Sequence, residues 1–201
     1  MNRFIIPITT ILLAAFIYAG SLIYDHVIST TSKPKEFIAT ITSAPEKNIH
    51  ALVPDFKFTP LEGKEFHIKD LRGSVVILNF WASWCAPCVA EFPDLLDIID
   101  QYNGKIILVA LSSDQTQASV EKFIAAQSKK HGAEINKKSV FIGLDPGRRI
   151  TRDLFNVTTY PESFILDSNG QIIKHIIGID DWHKGSTQEI LKSLTKDKSK
   201  L

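Results

Sequence analysis

The chain has 201 residues, 44% of them apolar, which suits one ordinary globular domain plus an appendage and excludes a disordered chain. Its formal net charge of +1 gives no ground for a nucleic-acid partner, and the lysines from Lys192 to Lys200 read as the solvated end of a helix. No internal repeat or low-complexity tract is visible.

The first feature in chain order is Phe4 to Tyr24, FIIPITTILLAAFIYAGSLIY, an uncharged and largely apolar run. About 21 residues at ~1.5 Å each extend ~31 Å as a helix, the thickness of a hydrocarbon core. A cleaved signal peptide would have a shorter apolar region followed by a small-x-small site. Ile17-Tyr18-Ala19 and Tyr18-Ala19-Gly20 match that site poorly, and no cysteine near this run can carry a lipid. The expectation is an uncleaved membrane anchor over residues 1–24. Arg3 precedes the span and Asp25 and His26 follow it, so the positive-inside rule places the rest of the chain in the periplasm or another extracytoplasmic space.

Residues 25–50 are polar and broken by prolines, as in SKPKE and TSAPEKN, and read as a tether. A domain is expected over 51–196, with 197–201 as a tail. LVPDFKF, a turn at Pro60 to Lys64, and Phe66 to Ile68 predict a small hairpin. Val75 to Trp81, VVILNFW, is apolar on both faces, as a buried parallel strand should be. From Pro87 the period becomes helical, with Val89, Phe92, Leu95, Leu96 and Ile99 on one side, a kink expected at Pro93 and an end at Gly104. Further on, Lys105 to Leu111 reads as a strand, Thr116 to Lys130 as a helix, Ser139 to Ile142 as a strand and Ile150 to Phe155 as a short helix. Ser163 to Leu166 and Gln171 to Ile177 flank Asp167-Ser168-Asn169-Gly170, a hairpin signal, and Thr187 to Lys196 is a last helix. Alternating strands and helices imply an α/β sheet covered on both faces.

The only two cysteines, Cys85 and Cys88, stand in C-x-x-C spacing where the central strand gives way to the helix. An exported chain meets an oxidising compartment, in which a disulfide persists. As a structural staple this pair is weak: so short a loop contributes ~2 kcal/mol, against ~3 for a 15-residue loop. Metal is not expected. His50, His67, His131, His175 and His183 form no second clustered pair at zinc-ligand spacing, and the sole methionine is the initiator. Redox chemistry remains. A helix N-terminus favours the thiolate, which makes Cys85 the nucleophile. Cys88, one turn on and shielded, is the resolving thiol that attacks the mixed disulfide.

NFWASWCAPC, Asn79 to Cys88, resembles the thioredoxin-superfamily motif, and its setting is similar to the membrane-anchored TlpA, ResA and DsbE (CcmG) branch of thiol-disulfide oxidoreductases. The resemblance covers roughly Leu52 to Leu194 and implies a thioredoxin-like fold: a central mixed sheet flanked by helices, with an N-terminal hairpin. The roughly fifty residues before Ser163 match that branch's helix-plus-strand insertion. It implies a cis peptide at Tyr160-Pro161, in TTYPESFIL, as a wall beside the cysteines along which a substrate backbone pairs. It also implies that Glu91, three residues after Cys88, replaces the buried aspartate of cytoplasmic thioredoxin, whose position is Asn79 here. If buried, Glu91 would have a raised pKa and serve as a base for Cys88. Trp81 fits as core packing near the site. Trp84 and Pro87 fit as an apolar rim facing substrate.

The expected function is therefore an extracytoplasmic, single-pass thiol-disulfide oxidoreductase, mainly a reductase of protein disulfides, serving cytochrome c or copper-site maturation. It would need no cofactor beyond its own dithiol and would draw electrons from a membrane donor of the DsbD or CcdA type. An oxidase or isomerase of exported proteins uses the same chemistry, and ~150 mV, roughly 7 kcal/mol, separates the two kinds of couple. A copper-delivery module on the same fold is the alternative of another class, and the two-residue spacing of the cysteines argues against it. Asp180, Asp181 and Trp182 form a loop to which the sequence assigns no chemistry.

Overall fold

The computed structural model describes residues 49–131 and 138–196, together with Tyr18, Ala19, Ser21 and Leu22. Most of the expected span at residues 4–24, most of the tether and the tail lie outside the described residues. Among those described, no helix is long and apolar enough to cross a membrane. The chain divides between Glu46 and Lys47 into two units, and every element named below belongs to the second.

The order is β1 (Lys57–Phe58), β2 (Phe66–His67), a 3-10 turn (Ile68–Leu71), β3 (Val75–Trp81), α1 (Ala86–Gln101), β4 (Ile106–Ser112) and α2 (Gln117–His131). Then come β5 (Val140–Leu144), a π-type helical turn (Arg149–Leu154), β6 (Glu162–Leu166), β7 (Ile172–Ile177) and α3 (Gly185–Thr195). β1 and β2 pair antiparallel as the expected hairpin. The main sheet has five strands in the order β5-β4-β3-β6-β7; β3, β4 and β5 run parallel, and β6 and β7 pair antiparallel. This is the thioredoxin-like mixed sheet, with β3 at its centre.

All seven residues of β3 are buried, because strands lie on both sides of it and both of its faces are covered. Its period of two splits the core. Val75, Ile77 and Trp81 join one cluster with Phe92, Leu95 and Ile99 of α1, Phe123 of α2 and Leu191 of α3. Val76, Leu78 and Phe80 join the other, with Phe56, Phe58, Phe155 and Phe164. Helices α1, α2 and α3 thus serve one face. The hairpin, the 3-10 turn and the π-type turn close the opposite face, which the sequence showed only to be covered. Each fully buried Ile, Leu or Phe contributes ~1.5–3 kcal/mol, and truncating Ile77 to alanine should cost ~2–5 kcal/mol.

Two glycines have a structural reason. A Cβ on Gly143 would lie 3.1 Å from Leu111 Cδ2 and 3.2 Å from both Phe58 Cδ2 and the Thr59 carbonyl, so a side chain here would push on the hairpin where it crosses β5. Gly170, at φ +81°, completes the β6–β7 turn. Domain pairing begins slightly before residue 51, since the His50 N–H donates to the Ile172 carbonyl at 2.7 Å.

Candidate active site

β3 carries the chain to Trp81, and Cys85 follows as the N-cap of α1, with an extended backbone. Pro87 sits in the first turn, where its missing N–H leaves no bond unmade. Cys85 and Cys88 are joined as a disulfide, their Cα atoms 5.3 Å apart, and Cys85 Sγ accepts the Cys88 N–H at 3.2 Å. Cys85 is 6% exposed and Cys88 2%, so the second cysteine is the more deeply placed. α1 continues through Pro93 to Gln101, and Asn103 and Gly104, both at positive φ, turn the chain into β4.

The segment between β3 and Cys85 is held by Asp114, a buried carboxylate just past β4. It accepts the Ser83 N–H at 2.7 Å, the Ser83 hydroxyl at 2.8 Å and the Ser112 hydroxyl at 2.6 Å. The parallel register makes this meeting inevitable, since Trp81 pairs with Ser112.

The Tyr160-Pro161 bond is cis, as expected from the sequence, and Tyr160 packs against the core cluster that includes both cysteines. The Tyr160 phenol donates to Ser113 Oγ at 2.7 Å, and its ring meets Trp84 edge-on, with centroids 5.8 Å apart. Trp84 is 67% exposed and so forms an open apolar rim. The Pro161 carbonyl accepts the Gly178 N–H at 2.8 Å. Directly after it, buried Glu162 meets His175 Nε2 at 2.6 Å, and the imidazole stacks on Phe164.

One turn after Cys88 on α1 stands Glu91, only 2% exposed. Its Oε1 accepts the Trp182 indole N–H at 2.9 Å and the Asp180 N–H at 3.1 Å, while its buried Oε2 has no partner among the described residues. Burial pushes the Glu91 carboxyl above its ordinary value of 4.5; the two N–H donors oppose that, and the charges of Asp180 and Asp94 add to it. Asn79, also buried, donates to Ser163 Oγ at 2.9 Å, and its Oδ1 lacks a partner among the described residues. Trp81 packs between Phe92 and Phe123, as a core residue.

The structure therefore gathers Cys85, Cys88 and Glu91 on α1, with Trp84 and Tyr160 in contact and Asn79 and Trp81 on the strand leading to them. Sequence reading missed Ser83, Ser113, Asp114, Asp180 and Trp182. The only local sign of Ser113 and Asp114 was the polar run Ser112-Ser113-Asp114 where β4 ends, and Ser83 had none. Away from the disulfide, ligand atoms of Asp94, Asp97 and His183 lie within 4.8 Å of one another. The two aspartates are exposed, and groups of exposed acids are common without a metal.

A family model described as Redoxin matches residues 49–193. The thiol-disulfide oxidoreductase ResA of a Bacillus cereus strain is 35% identical over 126 residues, which span 62% of this chain and 67% of that protein. Among solved structures, StoA from Bacillus subtilis is 32% identical with a TM-score of 0.53, over 73% of this chain and 99% of that one. A chain assigned as the thiol:disulfide interchange protein DsbE from Chlorobium tepidum is 26% identical with a TM-score of 0.62, over 73% and 97%. The chain belongs to the redoxin family of the thioredoxin superfamily and is a ResA/DsbE-like thiol-disulfide oxidoreductase.

Proposed function

We propose that this oxidoreductase works as a reductase of protein disulfides, held at the outer face of the cytoplasmic membrane by residues 4–24. The observation that carries the direction is buried Glu91, on the same helix and one turn beyond the resolving cysteine. A couple is strongly oxidising when its reduced, thiolate form is stabilised. No lysine, arginine or histidine occurs between Asn79 and Asp94, whereas Glu91 supplies a negative charge when ionised. That charge disfavours a second thiolate, so the dithiol gives up its electrons readily.

In the reduced protein, Cys85 thiolate at the α1 N-terminus attacks one sulfur of a substrate disulfide. A Cys85–substrate S–S bond forms, the substrate bond breaks, and the other substrate sulfur leaves as a thiolate. Glu91 takes the proton of Cys88, whose thiolate then attacks Cys85 Sγ. The intramolecular disulfide forms and the second substrate thiolate leaves; two electrons have passed from protein to substrate. Neither backbone group of Tyr160 is paired among the described residues, which leaves both for strand addition by a substrate peptide, with Trp84 and Pro87 as its apolar floor. No cofactor is required. A membrane dithiol donor of the DsbD or CcdA type would restore the reduced state. The disulfides of an apocytochrome c or of a copper-site protein are the substrates proposed.

Trapping tests the chemistry and protease treatment the location. Cys88→Ser should accumulate mixed disulfides with exported proteins through Cys85, and Cys85→Ser should abolish insulin reduction; full activity of either variant would end the scheme. In spheroplasts, external protease should digest the domain, and resistance would place it in the cytoplasm.

A further inference from the structure

We propose that Trp182 is a positioning residue for Glu91, and that the Lys174–Asp180–Thr187 cluster locks the loop carrying it, so that Oε1 is pinned and Oε2 alone exchanges a proton with the resolving thiol. The inference rests on the reading of Glu91 given above and deepens it.

Trp182 is fully buried, and Glu91 Oε1 is the acceptor of its indole N–H. The Asp180 N–H reaches the same oxygen from two residues away. With both donors on Oε1, an added proton resides on Oε2, which is buried and otherwise unpartnered among the described residues. The carboxylate orientation is thus fixed from a loop 89 to 91 residues distant in sequence.

That loop is itself held at both ends. Lys174 of β7 donates to Asp180 Oδ2 at 3.1 Å, to Ser186 Oγ at 3.0 Å and to Thr187 Oγ1. Thr187, buried in the first turn of α3, donates in turn to Asp180 Oδ2, and the Asp181 N–H donates to Asp180 Oδ1 at 2.8 Å. Burial alone would raise the Asp180 carboxyl, but the bonds from Thr187, Lys174 and the Asp181 N–H, with the Lys174 charge, hold it below its ordinary value. Asp180 therefore stays ionised and ordered. Glu91 faces three kinds of charged or titratable neighbour: Cys88 one turn earlier, Asp94 one turn later, and Asp180 from the loop, whose charge Lys174 offsets from β7. The cluster thereby sets both the geometry and the field at Glu91.

The direct test is a carboxyl titration of Glu91 by NMR in the full-length oxidised protein with ¹³C-labelled glutamate. Trp182→Phe keeps most of the bulk and removes the donor, so the Glu91 midpoint should move upward by about one pH unit or more. The pH profile of mixed-disulfide resolution should move the same way. An unchanged midpoint in a folded Trp182→Phe protein overturns the proposal. Should that variant fail to fold, Lys174→Met decides instead: it leaves the indole in place, and an upward midpoint supports the locking cluster while no shift overturns it. Glu91→Gln separates the two readings. If it resolves mixed disulfides at the wild-type rate at every pH, the proton role of Glu91 falls, while the NMR midpoint still decides whether Trp182 positions it.

Discussion

The Tyr160 phenol donates a 2.7 Å hydrogen bond to Ser113 Oγ, tying the residue before the cis-proline to the segment that follows β4. Ser113 is anchored in turn, its N–H donating to the Trp81 carbonyl at 2.9 Å. Both walls of the site thus hang on one strand end. Tyr160→Phe removes the bond and leaves the ring against Trp84. A hydrogen bond of this kind is worth about 1 kcal/mol net, or roughly fivefold in an equilibrium. We predict a KM for protein disulfides raised about fivefold with kcat little changed, measured by steady-state reduction. A loss confined to kcat would show that the bond acts on the chemical step instead.

Asp114 should matter to stability more than its place in a loop suggests. Three donors converge on it, two of them from Ser83 beside the cysteines. Hydrogen bonds to a charged group are worth ~1.5–3 kcal/mol, and some of these donors can turn to water once freed, so Asp114→Ala should cost about 2–3 kcal/mol. Urea unfolding of the oxidised protein measures this. A midpoint equal to wild type would mean that the segment before Cys85 holds its shape without the carboxylate.

The raised Glu91 carboxyl makes stability depend on pH with a definite sign. In the folded state the protonated form is favoured by burial, so between 4.5 and its raised folded-state value the native protein binds more protons than the unfolded chain. Stability is full below that pH and is lost as pH rises through the folded-state value. Glu91→Gln stays neutral and can still accept from Trp182. The variant should therefore gain thermal stability relative to wild type as pH rises from about 4 to about 8. A pH-independent difference in Tm would mean that Glu91 is not titrating inside the fold.

Much of this was legible locally. Val75 to Trp81 reads as a buried strand because both of its faces are covered, and the cysteines declare themselves because nucleophile, cap and resolving thiol all fall within one turn. The β6–β7 hairpin is equally local, with Asp167 to Gly170 supplying the turn. What could not be read involves polar side chains buried by partners far along the chain. Asp114 reaches Ser83 across 31 residues, and Trp182 reaches Glu91 across 91. Such residues look like loop polarity or stray aromatics until the fold brings them together. The π-type turn and hairpin that close the second face were legible as pieces, but not as its cover.

The reduction potential of the Cys85–Cys88 couple, measured by equilibration of the purified protein against a thiol buffer, tests the proposed direction most directly. We predict a value near that of thioredoxin, about −270 mV, because helix α1 alone favours the Cys85 thiolate while buried Glu91 opposes a second one. A value near about −120 mV, that of a strong oxidant, would contradict it and make the protein a donor of disulfides.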